Sequence, residues 1–288
     1  MQLKKYKAAG EEKIMLKDFE TGAPPAVKAK KEEYLEKTAL NLEEISSLQE
    51  KLYSQAREGL IIVLQAMDAA GKDGTIKHVM SGVNPQGISV ISLKAPTSVE
   101  LSHDFMWRIS SKLPERGKIS IFNRSWYEDV LIVKVRKLYE DYNMAERCKK
   151  SSIIHKRYQY IKAFESHLYD ESYRVVKIFL HLSKEEQKER FIERIDRKIK
   201  NWKFSSADIE ERGYWDEYQE AYEDAINATA TKECPWYIIP ADNKWYTRYL
   251  VSEIVLNTLK KINPMYPEMP EEEQNRLAED REKLLREN

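Results

Sequence analysis

Two periodicities divide the chain. Residues 31–58 carry Leu35, Leu42, Ile45, Leu48 and Leu52 at spacings of mostly three, four or seven. That rhythm predicts an amphipathic helix. Beyond it come LIIVLQA (60–66), ISVISL (88–93), ISIFN (119–123), VVKIFLHL (175–182) and WYIIPA (236–241), short and rich in β-branched or aromatic residues. They are apolar on both parities, as strands covered on two faces must be. Helical patterns lie between them. Strands alternating with helices predict an α/β fold with a mainly parallel five-stranded sheet between two helix layers.

Local signals mark the helices. Ser183-Lys-Glu-Glu186 has capping-box spacing and opens a helix through QKERFIERIDRKIK. Gly213 separates the next short element from the aromatic-bearing helix YWDEYQEAYEDAINAT. Residues 1–30 are polar and Lys-rich, broken by Gly22 and Pro24-Pro25, and are expected to wrap the surface. From Pro270 onward the pattern is a highly charged helix, exposed or docked on another subunit. One domain of residues 1–288 is expected, with an N-terminal extension (1–58), a core (59–262) and the charged C-terminal helix (263–288).

Composition narrows the function classes. The 48 basic and 48 acidic residues cancel, which disfavours general nucleic-acid binding. Two cysteines, Cys148 and Cys234, without a CxxC, exclude a disulfide framework and fit a reducing compartment. The first residues lack an apolar signal core, and the run Leu60–Leu64 is too short to span a membrane. A cytoplasmic protein without membrane partners is expected. The five histidines are scattered and form no zinc or acyl-transfer pattern.

The candidate chemistry begins where the first strand ends. Its last residues run into Met67, Asp68, Ala69, Ala70, Gly71 and Lys72, and a helix follows through Asp73, Gly74 and Thr75. Such a turn aims backbone N–H groups and a helix N-terminus at an anion, and its lysine reaches distal phosphates. The match to G-x-x-x-x-G-K-[ST] is imperfect: Ala66 takes the first position and Asp73 the place of the hydroxyl residue. An ordinary strand–turn–helix junction with Lys72 in solvent is the alternative. With no hydroxyl at 73, Asp68 becomes a candidate magnesium ligand, against a simple turn-stabilising role. A second group follows the third strand as Asn123, Arg124 and Ser125, at the sheet edge where ligands bind in open α/β folds. Glu128 either completes a capping box with Ser125 or serves as a second metal ligand facing Asp68.

Taken together, QAMDAAGKDGTIKHV, APTSVELSHDFMWRI, IFNRSWYEDVLIVKV and RKIKNWKFSSAD, in this order, resemble the P-loop polyphosphate kinases of the second family, over residues 31–262. The resemblance implies a three-layer P-loop kinase fold with a mobile helical lid (about 197–215) and assembly as homo-dimers or homo-tetramers. It implies transfer of a terminal phosphoryl group between inorganic polyphosphate and a nucleotide, with Mg2+ as cofactor and Mn2+ as a substitute. Adenine nucleotides are the expected partners, with guanine nucleotides as further candidates. The family's loop Asp and Lys fall on Asp68 and Lys72, and its strand-end Arg on Arg124. Asn123 stands where the family pattern has Asp, which weakens a metal role there; this variant resembles the subgroup accepting both AMP and ADP, with Glu128 taking the acidic role.

Three arginines, Arg190, Arg194 and Arg197, share one side of the helix after Ser183. Against a phosphate role, Glu186 with Arg190 and Glu193 with Arg197 form favourable i,i+4 ion pairs, the reading preferred for Arg197; the resemblance puts Arg190 and Arg194 in the catalytic set. Lys200 and Lys203, flanking Trp202, are implied phosphate contacts of the lid. Lys77, Arg108, Lys134 and Arg136 are candidates for a polyanion track. Two rivals remain open: an ATP-dependent nucleoside monophosphate kinase and a non-catalytic polyanion-binding module.

Overall fold

The computed structural model describes residues 2–287. Six strands form one sheet: β1 (Lys7–Ala8), β2 (Gly59–Gln65), β3 (Ile88–Ser92), β4 (Ile119–Asn123), β5 (Tyr173–His181) and β6 (Trp236–Pro240). Their order is β1-β6-β5-β2-β4-β3, and all neighbours are parallel except β1, which pairs antiparallel with β6. The five expected strands are present. The sixth is a two-residue edge strand in the polar N-terminal stretch, too short to show any periodicity.

The main helices are α1 (Lys31–Gln55), α2 (Lys72–Val79), α3 (Ser152–Asp170), α4 (Lys184–Asp196), α5 (Ser206–Gly213), α6 (Trp215–Thr229), α7 (Lys244–Ile262) and α8 (Glu271–Leu285). Alternate residues of the same strands feed two cores. Ile61, Val63, Phe122, Val175, Phe179 and Ile238 pack with Ile161 of α3 and Tyr222 and Ile226 of α6. Leu60, Ile62, Ile121, Ile178 and Ile239 pack with Ile45 and Leu52 of α1 and Leu250 and Ile254 of α7. Burial on both faces explains the unbroken apolar runs. β3 departs from that expectation: it is an edge strand, and Val90 is 51% exposed.

The N-terminal stretch is tied down by its backbone. Ile14 N donates to Asn227 Oδ1 (2.9 Å) and Leu16 N to Glu223 Oε2 (2.8 Å), both on α6. α8 buries no residue. Among the described residues, no helix is long and apolar enough to cross a membrane.

Two expected capping boxes are only half made. Ser183 accepts from Glu186 N (3.1 Å), but its own N–H donates to Asp242 Oδ1 (2.8 Å), leaving the Glu186 carboxylate to Arg190. Ser125 caps a 3-10 turn through Tyr127 N (3.2 Å), and Glu128 turns toward Arg124. A complete box closes elsewhere, between Thr97 and Glu100.

The strand order positions the site. The chain leaves β2 toward β3 on one side, and leaves β4 toward β5 on the other. The loops after β2 and β4 therefore diverge and open a crevice at the carboxyl ends of two adjacent strands.

Candidate active site

The loop after β2 lies in that crevice. Gly71 (φ 100°) and Ala69 (φ 63°) both take left-handed backbone conformations. Alanine is strained there, and such strain persists only where surrounding contacts enforce it. The contacts are visible. Arg190 Nη1 donates to Ala69 O (3.0 Å) and Ala70 O (2.9 Å), while Nη2 donates to Ala241 O (2.7 Å) and Asp242 O (3.1 Å). Gln187 Nε2 donates to Asp68 O (2.9 Å). Satisfying the loop carbonyls from behind holds the loop in this shape.

Arg190 thus braces the loop: its guanidinium is buried and also bonds Glu186 (2.8 Å), while its side chain still lines one of the cavities beside the loop. Arg194, one turn on, is different. It bonds Lys203 O (3.1 Å) and Asp208 (3.3 Å) and lines two cavities beside the loop, each about 250 Å3. One holds Asp68 to Gly74 together with Asn123, Arg124, Arg194 and Lys203. The other passes Gly74 and Thr75 toward Lys200, Lys203, Lys244 and Arg248. Arg197 pairs with Glu193 at 3.1 Å, as its spacing suggested.

Lys72 folds back to donate to Ala66 O (2.9 Å). Removal from water, and after it the charge of Arg124, pulls its ammonium down to about 8. Met67 and Thr75 are buried, and Asp73 accepts from Asn123 Nδ2 (2.8 Å), which joins the loop to the end of β4.

Arg124 closes the arrangement. It too is left-handed (φ 64°), pinned by its N–H to Leu64 O (3.1 Å). Its Nη2 meets Asp68 Oδ1 at 2.7 Å, and its Nη1 stands 3.6 Å from Glu128 Oε2. Glu128 first, and Asp68 as well, hold the guanidinium proton above its usual affinity. Asp68, Arg124 and Glu128 line a small cavity of about 60 Å3 with Glu211, Tyr218 and Tyr222. Among the described residues no group of three possible metal ligands is assembled. Two carboxylates beside a phosphate loop nevertheless suit Mg2+, which takes one or two carboxylates and fills its shell with phosphate oxygens and water.

The proposed polyanion track fares differently. Lys134 is bound by Glu220 (3.1 Å) and Asp224 (2.6 Å), and Arg136 by Glu210 (2.7 Å) and Glu211 (3.5 Å). Arg108 is buried and donates to Lys94 O (3.1 Å), and Lys77 sits in the last turn of α2. Lys244 and Arg248, which the sequence reading passed over, line the cavity with Lys200 and Lys203 instead. They lie four apart just after β6, at the same carboxyl edge of the sheet, and that position was the available signal.

Known proteins resemble the chain over most of its length. The family model for Polyphosphate kinase 2 (PPK2) matches residues 28–267. An ADP-polyphosphate phosphotransferase of Rhodopseudomonas palustris is 44% identical over 291 residues, covering 99% of each chain. An AMP/ADP-polyphosphate phosphotransferase of Meiothermus ruber is 43% identical, over 92% of this chain and 96% of that one. The crystal structure of Polyphosphate Kinase 2 from Arthrobacter aurescens TC1 superposes with a TM-score of 0.85 at 35% identity, covering 96% of both chains. With its phosphate loop, its Arg124 cluster and a family match over most of its length, the chain belongs to the polyphosphate kinase 2 family.

Proposed function

We propose that this chain transfers the terminal phosphoryl group between inorganic polyphosphate and adenine nucleotides, using both AMP and ADP, in a Mg2+-dependent reaction. One observation carries the reading: an arginine bridging two carboxylates sits directly beside a braced phosphate loop. A binding module would gain nothing from acids next to phosphate. An enzyme that holds a cation there does.

Phosphoryl transfer asks for positioning and charge neutralisation more than for covalent chemistry. The basic groove of Lys200, Lys203, Lys244 and Arg248 suits a long polyanion running toward the loop. Loop amides and Lys72 hold the phosphate at the transfer point. Arg124 orients the acceptor phosphate, and Arg194 faces the space between them. Asp68 and Glu128 would hold Mg2+, exchanging part of their contact with Arg124 for it. When bound, the ion screens charge between donor and acceptor oxygens. The acceptor phosphate is already anionic at neutral pH, so no strong general base is required.

The names of the relatives favour ADP and AMP as acceptors, and we extend the proposal to guanine nucleotides, to Mn2+ as substitute, to a homo-oligomer and to the cytoplasm. Long-chain polyphosphate with Mg2+ and AMP or ADP is expected to give ADP and ATP with no other donor. No product there, together with product from ATP and a nucleoside monophosphate, would identify an ATP-dependent kinase instead. Running GMP and GDP alongside reads base preference.

A further inference from the structure

A second basic pocket lies at the far end of the sheet from the phosphate loop. β5 begins at Tyr173 but pairs with β6 from Lys177 onward, so its first residues have no strand beside them on that side. The notch holds a cavity of about 160 Å3, lined by Lys7 of β1, Arg174 of β5, Lys232 just before β6 and Lys261 in the last turn of α7. From this notch β5 runs to His181, roughly 25 Å at about 3.3 Å per residue, which sets the pocket well apart from Asp68 and Arg124. We propose that the notch binds a compact inorganic phosphoryl anion, either free phosphate or a stretch of polyphosphate away from its reacting end.

Four cations face a single acid, Glu233, in the lining. Arg174 is already engaged: its Nε and Nη2 bond the Glu58 carboxylate (2.7 and 3.4 Å), and its guanidinium lies 5.0 Å from the centre of the Tyr169 ring. The three lysines are not. Among the described residues none of them has an ion-pair partner or a side-chain hydrogen bond, so their charges repel across the space between them. Lys7 registers that repulsion. Burial, and after it the charge of Lys261, lowers its ammonium below the ordinary lysine value; Lys232 adds to this, and Glu11 and Glu233 offset part of it. An anion among the three would relieve the repulsion. Lys261 also balances the end of the α7 dipole, but Lys7 and Lys232 stand on no helix.

The backbone adds rigidity and a donor. Lys7 is held opposite Tyr237 by strand pairing. Lys177 N donates to Pro235 O (3.1 Å), and alternation along β5 turns the Val175 N–H to the same side, where no strand stands opposite. Size then selects the ligand. Sites for whole small organic molecules run to about 300–1,000 Å3, so a nucleotide is too large for this notch. A carboxylate carries one charge and would leave most of the cluster uncompensated, whereas a phosphoryl group presents several charged oxygens to ammonium groups arriving from different sides.

The test uses the full chain, the triple variant Lys7→Gln/Lys232→Gln/Lys261→Gln, and a control pair, Lys4→Gln/Lys5→Gln, at exposed lysines outside the notch. Calorimetry at low salt titrates each with inorganic phosphate, tripolyphosphate and long-chain polyphosphate, since such binding weakens as salt rises. Wild type and the control pair should bind one equivalent of anion more than the triple variant. Loss of that equivalent for phosphate as well as tripolyphosphate identifies a free-phosphate site. Loss for the chains alone, with long-chain affinity lowered at least about tenfold, identifies a polyphosphate stretch. Should the triple variant not fold, Lys232→Gln/Lys261→Gln, both exposed, takes its place and should weaken the same equivalent about tenfold. Unchanged stoichiometry and affinity for all three anions would overturn the proposal, and so would an equal loss in the control pair, which would report a diffuse field in place of a site. Binding alone decides the matter, so the outcome is independent of the transfer reading.

Discussion

Two clusters of opposite charge stand on either side of residues 125–127, and they differ in what is left over. In the first, Lys177 and Glu165 are 0% and 1% exposed. Glu165 is bonded by Lys177, by Trp126 Nε1 (3.1 Å) and by Tyr127 OH (2.8 Å), and Lys177 also donates to Thr229 O (2.8 Å). Nothing can enter it. In the second, Arg124 and Asp68 are 39% and 29% exposed and face a cavity. A cation and a carboxylate make a core fastener when every bonding position is filled, and a reaction site when some stay exchangeable. The sealed cluster grips the two aromatic residues that follow Arg124 and Ser125, and so sets the position of the open one.

The largest effect should come from opening the sealed cluster. Lys177→Met strands a buried carboxylate and should cost about 3–5 kcal/mol of stability, read as a lower urea midpoint. Adding Glu165→Gln should recover much of it; if Lys177→Met alone costs under about 1 kcal/mol, the cluster is not a fastener. The open cluster should behave in reverse. Asp68→Asn keeps the side chain's shape and should lower kcat about 100-fold or more while unfolding stays within about 0.5 kcal/mol of wild type. Wild-type turnover at low Mg2+ would remove Asp68 from the metal site.

The smallest effect concerns Lys72, also on the open side. Its ammonium, lowered to about 8, is charged below that pH and neutral above it. The KM for polyphosphate should therefore rise as pH climbs from 7 to 9, by up to about tenfold per unit past the midpoint. A flat profile would mean that bound phosphate does not sense this charge.

What the sequence disclosed follows the range of each interaction. The loop residues 67–75 and the Asn123–Glu128 segment are local strings at strand ends, so their meeting could be inferred from sheet topology. Of the contacts of Arg190, the pair with Glu186 was legible from spacing, but the bonds to Ala69, Ala70, Ala241 and Asp242 were not, because they go to backbone carbonyls far away in the chain. Lys134 and Arg136 looked free because their acids belong to later helices, α5 and α6. Val90 was misread because an edge strand and a central one can share a composition.

Arg190 has one more effect, on movement. The middle of α4 is bolted to the phosphate turn and to the residues after β6 through a single side chain. The start of that helix cannot travel without dragging the turn along. Any movement of the segment after α4 would therefore have to begin beyond Arg190, where Arg194 holds Lys203 O and Asp208.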